Sequence, residues 1–124
     1  MAHRARLRIL IADDYAPIMI ALERIVSLDH EVVGQVADGA SLLAETERLR
    51  PDVVLLDLNL QNVNSLQACA VIRHTTPATK VIVLTGAVDP DLRQDVLAAG
   101  ASAFLGKAGS PGDLLTAIAD SQRP

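Results

Sequence analysis

Val53-Val54-Leu55-Leu56-Asp57 is the stretch that decides the fold of this chain: four apolar residues run without alternation into a carboxylate. A strand that alternates apolar and polar residues buries one face. An unbroken apolar run buries both, as in parallel sheets covered by helices on either side. Three further runs have the same form. Leu7-Arg8-Ile9-Leu10-Ile11-Ala12 leads into Asp13-Asp14, Val81-Ile82-Val83-Leu84 into Thr85, and Ala103-Phe104-Leu105-Gly106 into Lys107. Ligands of such sheets sit outside the carboxyl ends of the strands. Three carboxylates, a hydroxyl and an ammonium are therefore expected at one edge, a set suited to a divalent cation and a phosphoryl group.

Between these runs the pattern is helical. Pro17 suits the first turn of a helix reaching about Leu28, with Ile18, Leu22 and Ile25 along its apolar face. Glu31 to Ala37 predicts strand two. Asp38-Gly39 predicts a turn capping helix two, about Ser41 to Leu49, which Pro51 stops before strand three, Asp52 to Leu56. Asn59 to Ser65 reads as a polar loop. Helix three, with Leu66, Ala70 and Ile72 apolar, runs until Pro77 introduces strand four, about Lys80 to Leu84. Asp89-Pro90 is a cap and a first helical residue, opening a helix that ends at Gly100. Strand five is about Ser102 to Leu105. Ser110-Pro111-Gly112-Asp113, close to a capping box, opens helix five, which ends near Asp120.

Strict alternation with right-handed crossovers predicts a flavodoxin-like, doubly wound (βα)5 sandwich around a parallel five-stranded sheet. The order 2-1-3-4-5 is preferred over barrel closure because it sets strand one beside strand three, where Asp13, Asp14 and Asp57 converge. Strand two, ending Gln35-Val36-Ala37-Asp38, is then an edge that supplies nothing to the site.

Residues 1–124 read as one domain, long enough to bury about two thirds of the unfolded surface. Half the residues are hydrophobic, yet there is one Tyr, one Phe and no Trp. The core is thus aliphatic, and stacking on bases or sugars is disfavoured. A net charge of −4 argues against a basic DNA-binding face on this domain. The single Cys69 excludes a disulfide framework, suits a reducing cytosol, and reads as a buried small hydrophobe on helix three. The apolar run behind the basic start, Met1 to Arg6, is too short for a signal or membrane segment. Arg4, Arg6 and Arg8 read as a solvated strand start. His3, His30 and His74 lack metal-ligand spacing and read as surface residues.

Two carboxylates a few ångströms apart repel by about 4 kcal/mol at an effective dielectric of about 20. A cluster of them takes up protons or recruits a cation. With oxygen ligands and no His or Cys nearby, Mg2+ is the expected ion. An Asp carboxylate can attack a phosphoryl group to give an acyl phosphate. Lys107 and the ion would balance the charge of the transferring group, and the Thr85 hydroxyl would donate to it. Singly, an Asp behind a strand is more often a turn residue, Thr85 a β-former and Lys107 a solvated charge. Their joint occurrence at strand ends carries the reading.

Over nearly its whole length the chain resembles the response-regulator receiver domains of bacterial two-component signalling. The matching stretches are Ile11-Ala12-Asp13-Asp14, Leu55-Leu56-Asp57-Leu58-Asn59, Val83-Leu84-Thr85-Gly86-Ala87 and Gly100-Ala101-Ser102-Ala103-Phe104-Leu105-Gly106-Lys107. The resemblance implies that Asp57 accepts phosphate from a histidine kinase. It implies that Asp14, Asp57 and the Asn59 carbonyl bind Mg2+, with Asp13 helping through water, and that Thr85, Gly86 and Lys107 contact the phosphate. Thr85 becomes the switch hydroxyl and Phe104 the switch aromatic, whose ring rotates into the space Thr85 vacates; Phe104 as plain core is the rival reading.

Such a domain is a cytoplasmic signalling switch, not an enzyme, although it promotes its own phosphorylation and dephosphorylation. The phosphoryl lifetime depends in this family on the residues at Asn59 and Ala87, and Ala87 offers no group to orient an attacking water. The ending Lys107-Ala108-Gly109-Ser110-Pro111 through Leu114-Leu115 is most similar to NarL/FixJ-type regulators, whose receivers precede a helix-turn-helix domain. The implied output is transcription, with DNA reached only through an output domain absent from this chain, which is a stand-alone receiver or part of a longer regulator. No membrane partner is implied.

The chain departs from the pattern at several positions. Gln61 stands where Pro is common and Ser65 where Gly is common, which leaves the loop conformation open. Ala108 follows Lys107 in place of Pro, and since a cis non-proline bond costs about 3 kcal/mol a trans bond is expected. Gly106 replaces a larger apolar residue. The altered loop supports one alternative, a phosphorylation-independent pseudo-receiver acting as a protein-interaction module. A haloacid-dehalogenase-like hydrolase needs an Asp-x-Asp pattern on the first strand and a cap, and Asp13-Asp14-Tyr15 fits neither. Ile18-Met19-Ile20-Ala21-Leu22 is more apolar than one helix face requires. Met19 and Ile20 either pack against helix five or offer a patch for a partner, including a second copy in a homodimer.

Overall fold

Strands and helices alternate throughout the computed structural model, which describes residues 6–87 and 89–123. His3 and Arg4 lie outside these residues. The strands are β1 (Arg8–Ala12), β2 (Glu31–Val36), β3 (Val53–Asp57), β4 (Lys80–Thr85) and β5 (Ala103–Gly106). The helices are α1 (Ala16–Val26), α2 (Gly39–Leu49), α3 (Ser65–Thr75), α4 (Pro90–Ala98) and α5 (Pro111–Ser121). The strands pair in parallel in the order β2-β1-β3-β4-β5. β1 and β3 are neighbours with Ala12 opposite Leu56, which brings Asp13 level with Asp57.

Two separate cores explain the unbroken apolar runs. Ile9, Ile11, Val53, Leu55, Ile82 and Leu84 turn to one face, where Val26 of α1 and Leu114 and Ile118 of α5 meet them. Leu10, Ala12, Val54, Leu56, Val83 and Phe104 turn to the other, under Leu42, Cys69, Ile72 and Val96 of α2, α3 and α4. Each large side chain taken out of water contributes about 1.5–3 kcal/mol. Along β1, β3, β4 and β5, polar side chains are therefore confined to the strand ends. Side-chain caps set the helix starts: Asp38 accepts from the Ser41 N–H, Asn64 from Leu66 and Gln67, Asp89 from Asp91 and Ser110 from Asp113.

Three expectations are corrected. The face of α1 turned to the sheet carries Met19, Leu22, Ile25 and the fully buried Val26, not Ile18. The spacing 19, 22, 26 follows one helical stripe, so Met19 packs into the core and only Ile20, 51% exposed, is left of the outward patch. Second, His30 is buried, not a surface residue. The Leu7 N–H donates to its Nδ1 at 3.1 Å, which requires the ring proton on Nε2. Third, Arg8 is half-buried; its guanidinium donates to the Leu49 and Arg50 carbonyls at 2.7 and 3.2 Å and caps the end of α2. His74 is exposed, as expected, and so is Arg6.

Candidate functional site

Asp13 leaves β1 tied at three points. Its N–H donates to the Val36 carbonyl at 3.0 Å, so the edge strand β2, expected to supply nothing, holds the site through its backbone. Its Oδ1 accepts from the Tyr15 N–H at 2.9 Å and turns the chain into α1. Its Oδ2, buried and without an aligned hydrogen bond, lies 2.7 Å from the Lys107 ammonium. Asp14 beside it is exposed. One carboxylate oxygen from each of Asp13, Asp14 and Asp57 lies within 4.8 Å of the others.

Asp57, the last residue of β3, is buried. Its Oδ1 accepts from the Asn59 N–H at 3.1 Å and lies 3.3 Å from Lys107 Nζ. Among the described residues no hydrogen bond or ion pair engages Oδ2. Lys107 follows β5, its N–H donating to the Thr85 carbonyl at 2.7 Å, so one backbone bond ties the ends of β4 and β5 together. Burial works against its ammonium, but the close contact with Asp13 and the charges of Asp13 and Asp57 outweigh it. Its pKa stands above the ordinary lysine value. The stability that Lys107 contributes is therefore complete at neutral pH and is lost only as pH rises through that raised value.

Thr85 ends β4 almost fully buried. Its hydroxyl donates to the Ala87 carbonyl at 3.1 Å and accepts from the Ala87 N–H at 3.3 Å, so it is folded onto its own turn. Gly86 is exposed, and the space where a side chain would stand is open. Phe104 is fully buried beneath α4, with the Arg93 guanidinium carbon 5.8 Å from its ring centre.

The loop behind Asp57 is held by hydrogen bonds. Gln61 makes a short parallel bridge to Asp38 and accepts from the Gly39 N–H at 2.9 Å. Asn62 takes φ +59°, a left-handed conformation that Asn tolerates better than most residues. The buried Ser65 hydroxyl contacts the Asp57 and Leu58 carbonyls at 3.0 and 2.7 Å. A Cβ on Gly39 would lie 2.3 Å from Val63 Cβ and 2.7 Å from the Asn62 carbonyl. Neither Gly39 nor Ser65 stood out in the sequence as a support of the site. The available signal was a glycine directly behind the capping Asp38, where the cap alone requires none. No cis peptide occurs among the described residues, in line with Ala108.

Residues 9–119 match the family model of the response regulator receiver domain. The chain belongs to that family. Among curated relatives, the response regulator protein VraR of Staphylococcus aureus is 29% identical over 119 residues, covering 94% of this chain and 57% of VraR. The chain thus spans little more than half the length of the relatives it matches. The receiver domain of NarL from Mycobacterium tuberculosis superposes with a TM-score of 0.88 at 28% identity, over 94% of this chain and 96% of that one. The BeF3-activated DrrB receiver domain does so with a TM-score of 0.83 at 26% identity, over 94% and 97%. The receiver of this chain is therefore of the NarL type in fold and sequence, a signalling domain of two-component regulation. Among the described residues no helix is long and apolar enough to cross a membrane.

Proposed function

We propose that this receiver domain is a cytoplasmic phosphoacceptor switch in which Asp57 takes the phosphoryl group of a histidine kinase. The observation that carries the reading is the division of labour on one carboxylate. Oδ1 of Asp57 is held by the Asn59 N–H and Lys107, while Oδ2 is left for attack. In the transfer, Oδ2 bonds to phosphorus as the bond from phosphorus to the kinase histidine breaks. The imidazole keeps the electron pair and is protonated from solvent. Lys107 stays beside the new acyl phosphate as its charge partner.

Asp13, Asp14, Asp57 and the Asn59 carbonyl would hold Mg2+, which supplies further neutralisation of the transferring charge when bound. The residues fit this ion: the donors are all oxygens, and buried Oδ2 of Asp13 has no aligned hydrogen bond. The Thr85 hydroxyl exchanges the Ala87 carbonyl for a phosphoryl oxygen, and the N–H of Gly86, a residue with open space beside it, contacts the same group. Phe104, buried on the neighbouring strand β5, is the aromatic through which a change at Thr85 would be read out. The output we assign is transcription, exercised on DNA through a separate output domain. A second copy docked on exposed Ile20 is a further partner, tested by loss of any dimer from sedimentation profiles of Ile20→Lys. The altered loop, bonded to α2, keeps the Asn59 N–H on Asp57 Oδ1, which supports the phosphoacceptor reading over the pseudo-receiver alternative.

Incubation with acetyl phosphate and Mg2+, read by intact mass, tests the proposal. One adduct is expected on the parent, none on Asp57→Asn and none after chelation. Beryllofluoride, the activator of the DrrB structure, gives a second probe. With no water-orienting group at Ala87, the adduct should decay over minutes or longer; decay within seconds contradicts that part. An adduct surviving Asp57→Asn, or none on the parent, overturns the assignment.

A further inference from the structure

Ser65 stands at the first helical position of α3, eight residues beyond Asp57, and is buried. A hydroxyl has one proton to give, so its contacts of 3.0 Å to the Asp57 carbonyl and 2.7 Å to the Leu58 carbonyl share that proton between two acceptors. The shorter contact fixes the Leu58 carbonyl. That carbonyl and the Asn59 N–H belong to the same rigid peptide plane and point in opposite directions from it. The Asn59 N–H donates at 3.1 Å to Asp57 Oδ1. The Leu58 N–H, one plane earlier, is pinned to the Leu84 carbonyl at 2.8 Å. Rotation of the plane between Leu58 and Asn59 is therefore limited by Ser65 on one side and spent on the Asp57 carboxylate on the other.

We propose that Ser65 is a positioning residue, orienting the Asp57 carboxylate through the Leu58–Asn59 peptide plane. The role rests on the reading of Asp57 as phosphoacceptor. The same plane precedes the Asn59 carbonyl assigned to the cation, so one hydroxyl steadies both the nucleophile and a ligand. Ser65 makes no contact with the reacting group itself. In Ser65→Ala the Leu58 carbonyl loses this donor, the plane swings, and Oδ1 is no longer held while Oδ2 attacks. The helix is not the casualty, because its cap is Asn64, which accepts from Leu66 and Gln67.

The test compares the parent with Ser65→Ala, Ser65→Gly and Ser65→Thr. Phosphorylation by acetyl phosphate with Mg2+ should slow about tenfold in the Ala and Gly variants, the size of effect that a small misplacement of a reacting group produces. Ser65→Thr, which keeps the hydroxyl, should restore most of the rate. Amide hydrogen exchange at Asn59, measured by NMR without phosphate, should quicken in Ala and Gly and not in Thr. Parent-like rates in Ser65→Ala, or a Thr variant as slow as Ala, overturn the proposal. If the parent takes no phosphoryl group, the function reading falls instead, and Asn59 exchange alone decides the brace: unchanged exchange in Ser65→Ala refutes it.

Discussion

Cys69 illustrates how burial alone sets the chemistry of one side chain. It is 1% exposed on the sheet-facing side of α3, and loss of water around the thiolate pushes its pKa up to about 11. The folded protein then keeps a proton that the unfolded chain releases above its ordinary value of 9.0, so stability falls as pH rises through this window. The expected loss from about pH 9 to about pH 10 is about 1 kcal/mol. Urea unfolding of the parent and of Cys69→Ala at both pH values checks it. The Ala variant, less stable throughout because of its cavity, should show the flatter pH dependence; equal slopes would exclude the thiol as the cause. Asp13, Asp14, Asp57, Thr85 and Lys107 were legible in the sequence because each ends an apolar run, and burial leaves polar chemistry only there. His30 and Arg8 were not legible. Their partners are backbone groups 23 and 41 residues away, which no local pattern names.

At the scale of elements, all ten strands and helices follow from period, caps and prolines, with ends shifted by a residue or two. What period alone did not settle was which stripe of α1 faces the sheet, because its first turn is apolar on several sides. Nor did it settle the loop between β3 and α3, whose shape depends on α2. There Gly39 is the residue that permits docking. An alanine Cβ would need Val63 and the Asn62 carbonyl to move, since contacts of 2.3 and 2.7 Å are not tolerated. Gly39→Ala should cost about 1–3 kcal/mol, the usual range for overpacking, and slow phosphorylation by freeing the loop that carries Asn59. Removing the Val63 side chain in Gly39→Ala/Val63→Gly should recover part of the loop geometry. A non-zero coupling in that double-mutant cycle is the measurement. If Gly39→Ala unfolds at the parent's urea midpoint, the loop is not held by this close approach.

For the whole molecule, the question is how an event at the sheet edge reaches a distant surface. β4 and β5 pair with Val83 opposite Phe104 and Leu84 opposite Leu105, and the Lys107 N–H closes the pair on the Thr85 carbonyl. In the proposed switch, a change in the Thr85 turn is passed to the strand that carries Phe104, under the α4 residue Arg93. A ligand shifts such an equilibrium only by binding one arrangement better than the other. The differential contact proposed here is the Thr85 hydroxyl, bonded to Ala87 before phosphate and to phosphate afterwards. Phe104 is the single phenylalanine of the chain, so its ring resonances are unambiguous. On addition of Mg2+ and beryllofluoride they should shift in the parent, and shift much less in Thr85→Ala, which still has Asp57 to carry the adduct. Ring resonances that stay fixed while Asp57 is occupied would make Phe104 plain core, and the signal would then have to leave the site by another element.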